Sequence, residues 1–156
     1  MCFGKIKTGS GIVLKNIMRN FLKCLNCDSG NLIWNEKFIE CSSCGGKIAI
    51  KDAIPRFTDE AYHSNFGLQW NKFSTVQLDS FNGSDESEKR LLCQSKLYPD
   101  DFDGKTILEV GAGNGRFTEI FLKYGAKVLA VDYSSAIDAN YRNHIKYIEE
   151  GRLLLI

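Results

Sequence analysis

The pattern of apolar and polar positions in the last third of the chain predicts alternating strands and helices. An apolar run at Ile107–Val110 predicts a strand buried on both faces, and it ends in a glycine-rich stretch at 111–115. A helical pattern follows, in which apolar residues recur every three or four positions: Phe117, Ile120, Phe121 and Tyr124. A second apolar run, Val128–Val131, ends in Asp132. This order predicts an α/β fold that begins with a strand, a helix and a parallel strand.

A second helix and a third strand are predicted next. Ser134 or Ser135 can cap this helix, and Asp138 lies in its first turn. His144 lies beside the apolar stripe of the helix and receives no catalytic role; the stripe comprises Ile137, Tyr141, Ile145 and Ile148. The run Leu153–Ile156 predicts the third strand. In the order 3-2-1 the first strand lies at an edge, so we expect an incomplete sheet, truncated after its second helix.

The glycine-rich stretch predicts a nucleotide-binding turn. Glycines such as Gly111 and Gly113 let the chain turn sharply and let a ligand approach the backbone. Asp132 follows Gly111 by about 20 residues, the offset at which an acid binds ribose hydroxyls. Arg116 stands where a dinucleotide-binding motif would have its third glycine, and Glu109 would repel a pyrophosphate but attract a cationic ligand. No Gly-Lys-Ser/Thr follows, which excludes a phosphate-loop NTPase.

Two stretches of the chain carry a family resemblance. EVGAGNGRF at 109–117 and GAKVLAVDYS at 125–134 resemble motifs I and II of class I S-adenosylmethionine-dependent methyltransferases. FGLQW at 66–70 resembles the segment before the sheet in members with an N-terminal zinc-ribbon-like module. The resemblance implies a Rossmann-like methyltransferase domain that uses S-adenosylmethionine. It implies these cofactor-binding residues: Glu109, Gly111, Ala112, Gly113, Asp132, Tyr133, Gln69 and Trp70.

The resemblance also implies a division of roles among these residues. Glu109 would hold the methionine end of the cofactor, Asp132 would bind the ribose, and Tyr133 would flank the adenine. Gln69 and Trp70, together with Phe66, would form a lid over the pocket. No general base is identifiable, so the catalytic residues remain unassigned. A glycine turn that only closes a strand–helix–strand unit is the simplest alternative, and a nicotinamide-dependent enzyme is another.

Four of the six cysteines form two Cys-x-x-Cys pairs, Cys24 with Cys27 and Cys41 with Cys44. Two such pairs joined by a hairpin suit a tetrahedral zinc ion, and the segment between them predicts a hairpin with Asn35–Lys37 as its turn. Four thiolates leave no open coordination position, so the zinc would be structural. Two disulfides are the alternative, but the chain lacks a secretory signal and a reducing, cytoplasmic compartment is expected.

These features divide the chain into four parts. Residues 1–20 form a leader of unassigned function, and residues 21–57 form the zinc-ribbon-like module. Residues 58–104 form a connecting helical segment that covers the cofactor site, and residues 105–156 form the first half of the Rossmann-like domain. The architecture predicted from sequence is therefore an α/β sheet preceded by a small β module.

The connecting segment contains a predicted helix and several aromatic residues. Asp85 followed by Glu88 resembles a capping box at the start of this helix. The helix is expected to direct three leucines inward: Leu91, Leu92 and Leu97. Phe73 and Phe81 are expected to pack between the zinc-ribbon-like module and the sheet.

Composition and charge bear on which class of molecule accepts the methyl group. Apolar residues make up 44% and charged residues 25% of 156 positions, which is typical of a globular protein, and no apolar stretch suits a membrane span. A net charge of +1 does not favour nucleic acid as a partner. The stretch between Cys24 and Cys44 contains one basic residue, Lys37, and three acidic ones, which does not favour RNA binding by the ribbon: Asp28, Glu36 and Glu40. We therefore expect a small-molecule or glycan acceptor, with an RNA-modifying methyltransferase or a non-catalytic remnant as alternatives and the oligomeric state unassigned.

Overall fold

A computed structural model describes residues 19–58 and 69–156, and the first of these ranges forms a four-stranded antiparallel sheet. The strands follow each other in chain order: β1 Leu32–Trp34, β2 Phe38–Cys41, β3 Lys47–Lys51 and β4 Ile54–Arg56. The side chain of Asn35 closes the first hairpin, because its Oδ1 accepts the N–H groups of Lys37 and Phe38, each at 2.8 Å. The predicted hairpin and its turn are therefore confirmed.

A three-stranded parallel sheet lies in the second range. Its strands are β5 Thr106–Val110, β6 Lys127–Val131 and β7 Leu153–Leu155, in the order β5-β6-β7. The helices that connect these strands are α3 Thr118–Lys123 and α4 Ile137–Glu149. The three predicted strands and their order 3-2-1 are thus present, with β5 at an edge.

The connecting helices cover one face of the parallel sheet, where Val128 and Leu153 are fully buried and share a core with Leu122 of α3 and Ile137 of α4. The other face carries a smaller apolar cluster around Leu129 and Leu154, which are both buried. Leu108 and Val110 of β5 point to the other face and are 63% and 78% exposed. The prediction that this strand is buried on both faces is therefore wrong, because both connecting helices pack on the same side of the sheet.

Between residue 78 and the first parallel strand, the structure has two helices and a helical turn. They are α1 Asp79–Asn82, α2 Glu86–Ser95 and a 3₁₀ turn at Pro99–Asp101. Leu91 and Leu92 of α2 pack against the main core, as predicted. Three other apolar residues expected to be packed are instead largely exposed: Phe73, Phe81 and Leu97. Each lies within or just after a helical stretch, and they are 50%, 71% and 42% exposed, respectively.

The start of α2 differs from the predicted capping box. Asp79, in the preceding helix, accepts the N–H of Ser87 at 3.1 Å through Oδ1 and that of Glu88 at 2.9 Å through Oδ2. Asp85 makes no side-chain cap and instead pairs with Lys89 at 2.9 Å. The capping-box prediction is therefore wrong, because a carboxylate from an earlier turn already occupies the free N–H groups.

Helix α4 also differs from its predicted pattern. His144 is buried and Ile145 is 45% exposed, the reverse of the expected arrangement. The backbone at His144 departs from helical geometry, with φ −126° and ψ 23°, and this kink rotates the apolar stripe. At the start of the helix, Ser134 Oγ accepts the N–H of Ala136 at 3.3 Å, but no side chain caps the first turn itself. Across the described residues, no helix is long and apolar enough to cross a membrane.

Candidate cofactor cleft and metal centre

The glycine-rich turn is held at the carboxyl ends of β5 and β6 by backbone hydrogen bonds. The N–H groups of Gly111 and Ala112 donate to the carbonyl oxygen of Val131 at 2.8 and 3.1 Å. The N–H of Gly113 donates to Asp132 Oδ2 at 2.7 Å. Gly111 and Gly113 have φ values of +76° and +54°, in the left-handed region that glycine adopts most easily. Hydrogen bonds therefore connect the predicted glycine-rich turn directly to the predicted acidic residue, Asp132.

The carboxylate of Asp132 is already partly occupied. Its Oδ1 accepts both the N–H of Ser134 at 2.8 Å and the hydroxyl of Ser134 at 2.7 Å. Its Oδ2 accepts only the N–H of Gly113 and retains one acceptor position. Asp132 can thus accept one further hydrogen bond directly, and a second would require the Ser134 hydroxyl to rotate away.

A cleft of about 350 Å³ opens beside this turn, at the carboxyl ends of all three parallel strands. Its walls come from the sheet and from the exit of the antiparallel sheet: Pro55, Arg56, Phe57, Thr58, Val110, Gly111, Val131, Asp132, Tyr133, Ser134, Ser135 and Ile156. The carboxyl ends of the strands are where open α/β sheets bind ligands. The cleft therefore contains three of the residues predicted to bind the cofactor, namely Gly111, Asp132 and Tyr133.

The other predicted cofactor residues lie away from the cleft wall. Ala112 is buried in the core, and Glu109 is buried beneath the turn. Gln69 is exposed and Trp70 is half-buried in a helical stretch, and neither lines the cleft. Phe66, the third residue of the predicted lid, lies outside the described residues. The lid therefore stays a prediction.

Hydrogen bonds attach the segment that begins at the predicted lid to the glycine turn. Asn71 Nδ2 donates to the carbonyl oxygen of Ser135 at 2.8 Å. Asn114 and Asn143 each donate through Nδ2 to the carbonyl oxygen of Ser74 at 2.9 Å, and Asn143 also donates to the carbonyl oxygen of Asn114 at 3.0 Å. This segment is therefore fixed beside the cleft by three asparagine side chains.

Glu109 begins a chain of buried polar groups. Thr118 Oγ1 donates to Glu109 Oε2 at 2.5 Å and accepts from Asn140 Nδ2 at 3.0 Å. His144 Nδ1 donates to Asn140 Oδ1 at 2.9 Å, because an amide oxygen only accepts, and Nδ1 therefore carries a proton. Each group is buried and satisfies its neighbour, which is the usual condition for keeping polar side chains inside a core.

Burial shifts the pKa of both ends of this chain. Burial raises the pKa of Glu109 to about 7, with a smaller contribution from the charge of Asp132, although the hydrogen bonds from Thr118 oppose the shift. Burial lowers the pKa of His144 to about 4, although its hydrogen bond to Asn140 opposes this shift. Near neutral pH the histidine is uncharged, and Glu109 is close to its midpoint of titration.

Gly115 makes this packing possible. A Cβ at this position would lie 2.5 Å from His144 Cε1 and 2.6 Å from Asn140 Oδ1. The φ of Gly115 is +94°, which is also strained for residues with a side chain. The third glycine of the turn is therefore required by contact with α4 rather than by a ligand.

Arg116, in place of the dinucleotide-type glycine, has a structural contact. Its Nε donates to Ser87 Oγ at 2.9 Å, and the Ser87 hydroxyl donates to the carbonyl oxygen of Gln77 at 3.1 Å. Ser87 is buried in the first turn of α2. Arg116 therefore ties α2 to the glycine turn.

The four predicted metal ligands converge at one end of the antiparallel sheet. Their Sγ atoms all lie within 4.8 Å of one another, with Cys24 to Cys44 at 3.5 Å and Cys27 to Cys41 at 3.6 Å. A tetrahedral site with Zn–S bonds of about 2.3 Å has S···S separations of about 3.8 Å. All four cysteines are free thiols, so the disulfide alternative is not observed. The cluster therefore fits a zinc ribbon.

The surroundings of the thiols also fit a metal. The N–H of Asn26 points at Cys24 Sγ at 3.4 Å. Burial raises the pKa of Cys41, but the N–H groups of Cys44 and Ser43 and the neighbouring thiols outweigh this and lower it, whereas contacts between the thiols raise the pKa of Cys27 and of Cys44. The four sulfurs are therefore close enough to change one another's protonation. A Cβ at Gly46 would lie 2.7 Å from Asn26 Nδ2 and 3.3 Å from Cys44 Sγ. The backbone therefore packs closely around the sulfurs.

Sequence reasoning missed two groups of residues at this site. The first group is the buried polar chain under the turn, which includes Thr118 and Asn140. In the sequence they could have been found only as polar residues on helix faces that were expected to be buried. The cleft wall formed by Pro55, Arg56 and Phe57 had no signal, because it depends on how the two sheets pack. These contacts lie far apart in sequence.

Comparison with known proteins gives one short similarity. The chain is similar to the ribosomal RNA small subunit methyltransferase A of Sphingopyxis alaskensis, with 42% identity over 45 residues. The match covers 29% of this chain and only 17% of that protein. No family model matches the chain, and no solved structure matches it. The similarity supports the assignment of this chain as part of a methyltransferase. Because the match spans only 17% of the relative, it does not extend the relative's full activity to this chain.

Proposed function

We propose that this chain provides the cofactor site of a class I S-adenosylmethionine-dependent methyltransferase with a Rossmann-like sheet. The observation that supports this most directly is the hydrogen bond from Gly113 N–H to Asp132 Oδ2 at the mouth of the cleft. It brings a glycine-rich turn next to an acid at the carboxyl ends of parallel strands. The similarity to a known methyltransferase supports the same assignment.

Each part of the cleft has a proposed role in holding the cofactor. Asp132 Oδ2 accepts a ribose hydroxyl with its remaining acceptor position. The half-exposed ring of Tyr133 packs against the adenine. Glu109 lies buried under the turn and, in its ionised form, attracts the cationic methionine end. The sulfonium methyl is then transferred in line to the acceptor, and the protein contributes alignment and exclusion of water.

We infer that the acceptor is RNA. The matched relative is named for its action on ribosomal RNA, which favours the RNA alternative over the small-molecule or glycan acceptor expected from composition. The charge of the ribbon also disfavours RNA less than its sequence suggested. Asp28 pairs with Lys23 at 3.5 Å and Glu40 pairs with Lys47 at 3.6 Å, so lysines outside the counted stretch offset two of its acids.

We also infer that the cysteine cluster holds a structural zinc ion. Cys24, Cys27, Cys41 and Cys44 would complete its coordination, which leaves no position for a substrate or a reactive water. The ion would supply the folding free energy that so short a β module lacks. One zinc per chain is expected by atomic absorption, and Cys41→Ser should abolish it while Cys93→Ser, outside the cluster, should not.

Calorimetric titration of the zinc-loaded chain tests cofactor binding. We expect S-adenosylmethionine to bind, NAD to bind at least tenfold more weakly, and Asp132→Ala to weaken S-adenosylmethionine by tenfold or more. Asp85→Ala, which removes an exposed acid that does not line the cleft, is the matched control and should leave affinity unchanged. Preferential binding of NAD, or no binding of either nucleotide, would overturn the proposal.

A second experiment separates RNA from other acceptors. Zinc-loaded chain is incubated with small-subunit ribosomal RNA in a filter-binding assay, with double-stranded DNA of similar length as the control. We expect stronger retention of the RNA and a loss of binding as salt rises, because phosphate contacts release counterions. Equal retention of both nucleic acids, or of neither, would contradict an RNA acceptor while leaving the cofactor assignment intact.

A further inference from the structure

The exit strand of the cysteine-containing sheet enters the core of the parallel sheet. Ile54, the first residue of β4, is fully buried in the same cluster as Val128 and Leu153. The strand pairs with β3 through Lys51 and Ile54, and β3 pairs with β2, which ends at the predicted ligand Cys41. A continuous hydrogen-bonded sheet therefore runs from the metal centre to the core beneath the cleft.

The residues after Ile54 form one wall of the cleft. Pro55, Arg56, Phe57 and Thr58 line it on one side, and the glycine turn and the end of β6 line it on the other. Pro55 is fully buried, so its position is fixed by packing. A ligand that fills the cleft must touch both sides, because about 350 Å³ is close to the lower limit for small-molecule sites.

An ion pair holds the two sides together. The guanidinium of Arg56 donates to Asp138 Oδ1, and the two side chains are only 14% and 22% exposed. Asp138 lies in the first turn of α4, directly after the loop that carries Tyr133 to Ser135. Arg56 Nε is buried without a partner among the described residues, so Asp138 is the partner that compensates this charge. Loss of either side chain would leave a charge uncompensated in a poorly hydrated place.

We propose that the metal-binding module is part of the cofactor site, with Phe57 and Thr58 contacting the bound nucleoside and the Arg56–Asp138 pair coupling metal binding to cofactor affinity. This inference rests on the proposed function and deepens it. Phe57 offers apolar surface to the adenine in the same cleft as Tyr133, and the fully buried Pro55 holds this wall in place. Arg56 and Asp138 are positioning residues, because they fix the wall and the loop relative to each other.

Thermodynamic linkage gives the expected behaviour. If zinc orders the wall that contacts the cofactor, zinc raises cofactor affinity, and the cofactor must raise zinc affinity by the same factor. Couplings of this kind typically amount to about 5- to 150-fold. We expect about tenfold, because only one wall of the cleft belongs to the module.

The test measures both affinities on the full chain. The dissociation constant of S-adenosylhomocysteine is measured by calorimetry on zinc-loaded wild type, Arg56→Gln, Asp138→Asn and the double variant. Zinc affinity is measured by competition with a chromophoric chelator, with and without saturating S-adenosylhomocysteine. Asp85→Asn breaks an exposed ion pair elsewhere and serves as the matched control. Far-ultraviolet circular dichroism and zinc content establish that each variant is folded.

We expect each single variant to bind S-adenosylhomocysteine about tenfold more weakly, and the double variant to lose no more than either single one. Saturating S-adenosylhomocysteine should raise the zinc affinity of wild type by about tenfold and that of the variants by less. If wild type binds the nucleoside but both variants bind it equally well and zinc affinity does not respond, this inference is overturned and the proposed function stands. If wild type binds no nucleoside, both are overturned.

Discussion

The N–H of Gly113 donates to Asp132 Oδ2 at 2.7 Å, so the glycine turn and the end of β6 hold each other in place without a ligand. Asp132 therefore has a structural role in addition to its proposed contact with the ribose. Asp132→Ala should lower the free energy of unfolding by about 1–3 kcal/mol, since it leaves donors at Gly113 and Ser134 without partners. Urea denaturation of the zinc-loaded chain measures this. Ser134→Ala keeps the Gly113 contact and should cost less; an equal loss would contradict the assignment.

Gly115 gives a second prediction. An added Cβ would collide with His144 and Asn140 and would also be strained at a φ of +94°. Gly115→Ala should therefore destabilise the chain by about 3 kcal/mol or more, measured by thermal unfolding. Gly83→Ala is the matched control, because Gly83 has a φ of +68° but nothing within 4 Å, and it should cost only about 1–2 kcal/mol. Similar losses for both variants would mean that contact with α4 is not what requires a glycine at position 115.

The cap of α2 gives a third prediction. Asp79 accepts two N–H groups at the start of this helix, whereas Asp85 makes only an exposed pair with Lys89. Asp79→Ala should lower the free energy of unfolding by about 1–2 kcal/mol, and Asp85→Ala by less than about 0.5 kcal/mol. Chemical denaturation of both variants compares them directly. A larger loss for Asp85→Ala would restore the capping box that the sequence predicted.

The buried carboxyl of Glu109 gives a fourth prediction, on pH dependence. Its pKa is raised from an ordinary value of 4.5 to about 7, so between these values the folded chain holds a proton that the unfolded chain releases. Stability from this group is complete below pH 4.5, falls as pH rises, and is lost above about pH 7. Glu109→Gln, which mimics the protonated form, should exceed wild type in stability by up to about 3 kcal/mol at pH 8 and match it near pH 4.

His144 acts in the opposite direction over a similar range. Its pKa is lowered to about 4, so the unfolded chain binds a proton below about pH 6.5 that the folded chain does not, and stability falls as the solution becomes more acidic. Denaturation curves of wild type, Glu109→Gln and His144→Gln from pH 4 to 8 separate the two effects. If Glu109→Gln shows the same pH slope as wild type between pH 5 and 7, the raised pKa of Glu109 is contradicted.

The sequence predicted the elements that local patterns determine. The glycines after β5, the acid after β6 and the paired cysteines all gave the right elements in the right order, because each depends on spacing within a short stretch. The misassigned residues depend on contacts between distant segments. Asp79 replaced the local cap of α2, the kink at His144 turned Ile145 outward, and β5 was covered on one face only.

The candidate site shows the same division. Gly111, Asp132 and Tyr133 line the cleft, and their role in binding a cofactor stays a prediction, whereas the wall containing Arg56 comes from a different sheet. Arg116 indicated from sequence that the turn does not match a dinucleotide-binding motif. In the structure its side chain has a structural role, because it donates a hydrogen bond to Ser87. The glycine motif thus indicated the residues of the cleft that lie near it in the sequence. The residues from the other sheet become visible only in the folded structure.

The central claim is that S-adenosylmethionine binds at the glycine turn, and amide chemical-shift mapping tests it most directly. Zinc-loaded, ¹⁵N-labelled chain is titrated with S-adenosylhomocysteine, and backbone amide shifts are followed residue by residue. We predict that the largest changes occur at Gly111, Gly113 and Tyr133, with smaller ones at Phe57 across the cleft. Shifts confined to residues away from the cleft, or none at millimolar ligand, would contradict the account.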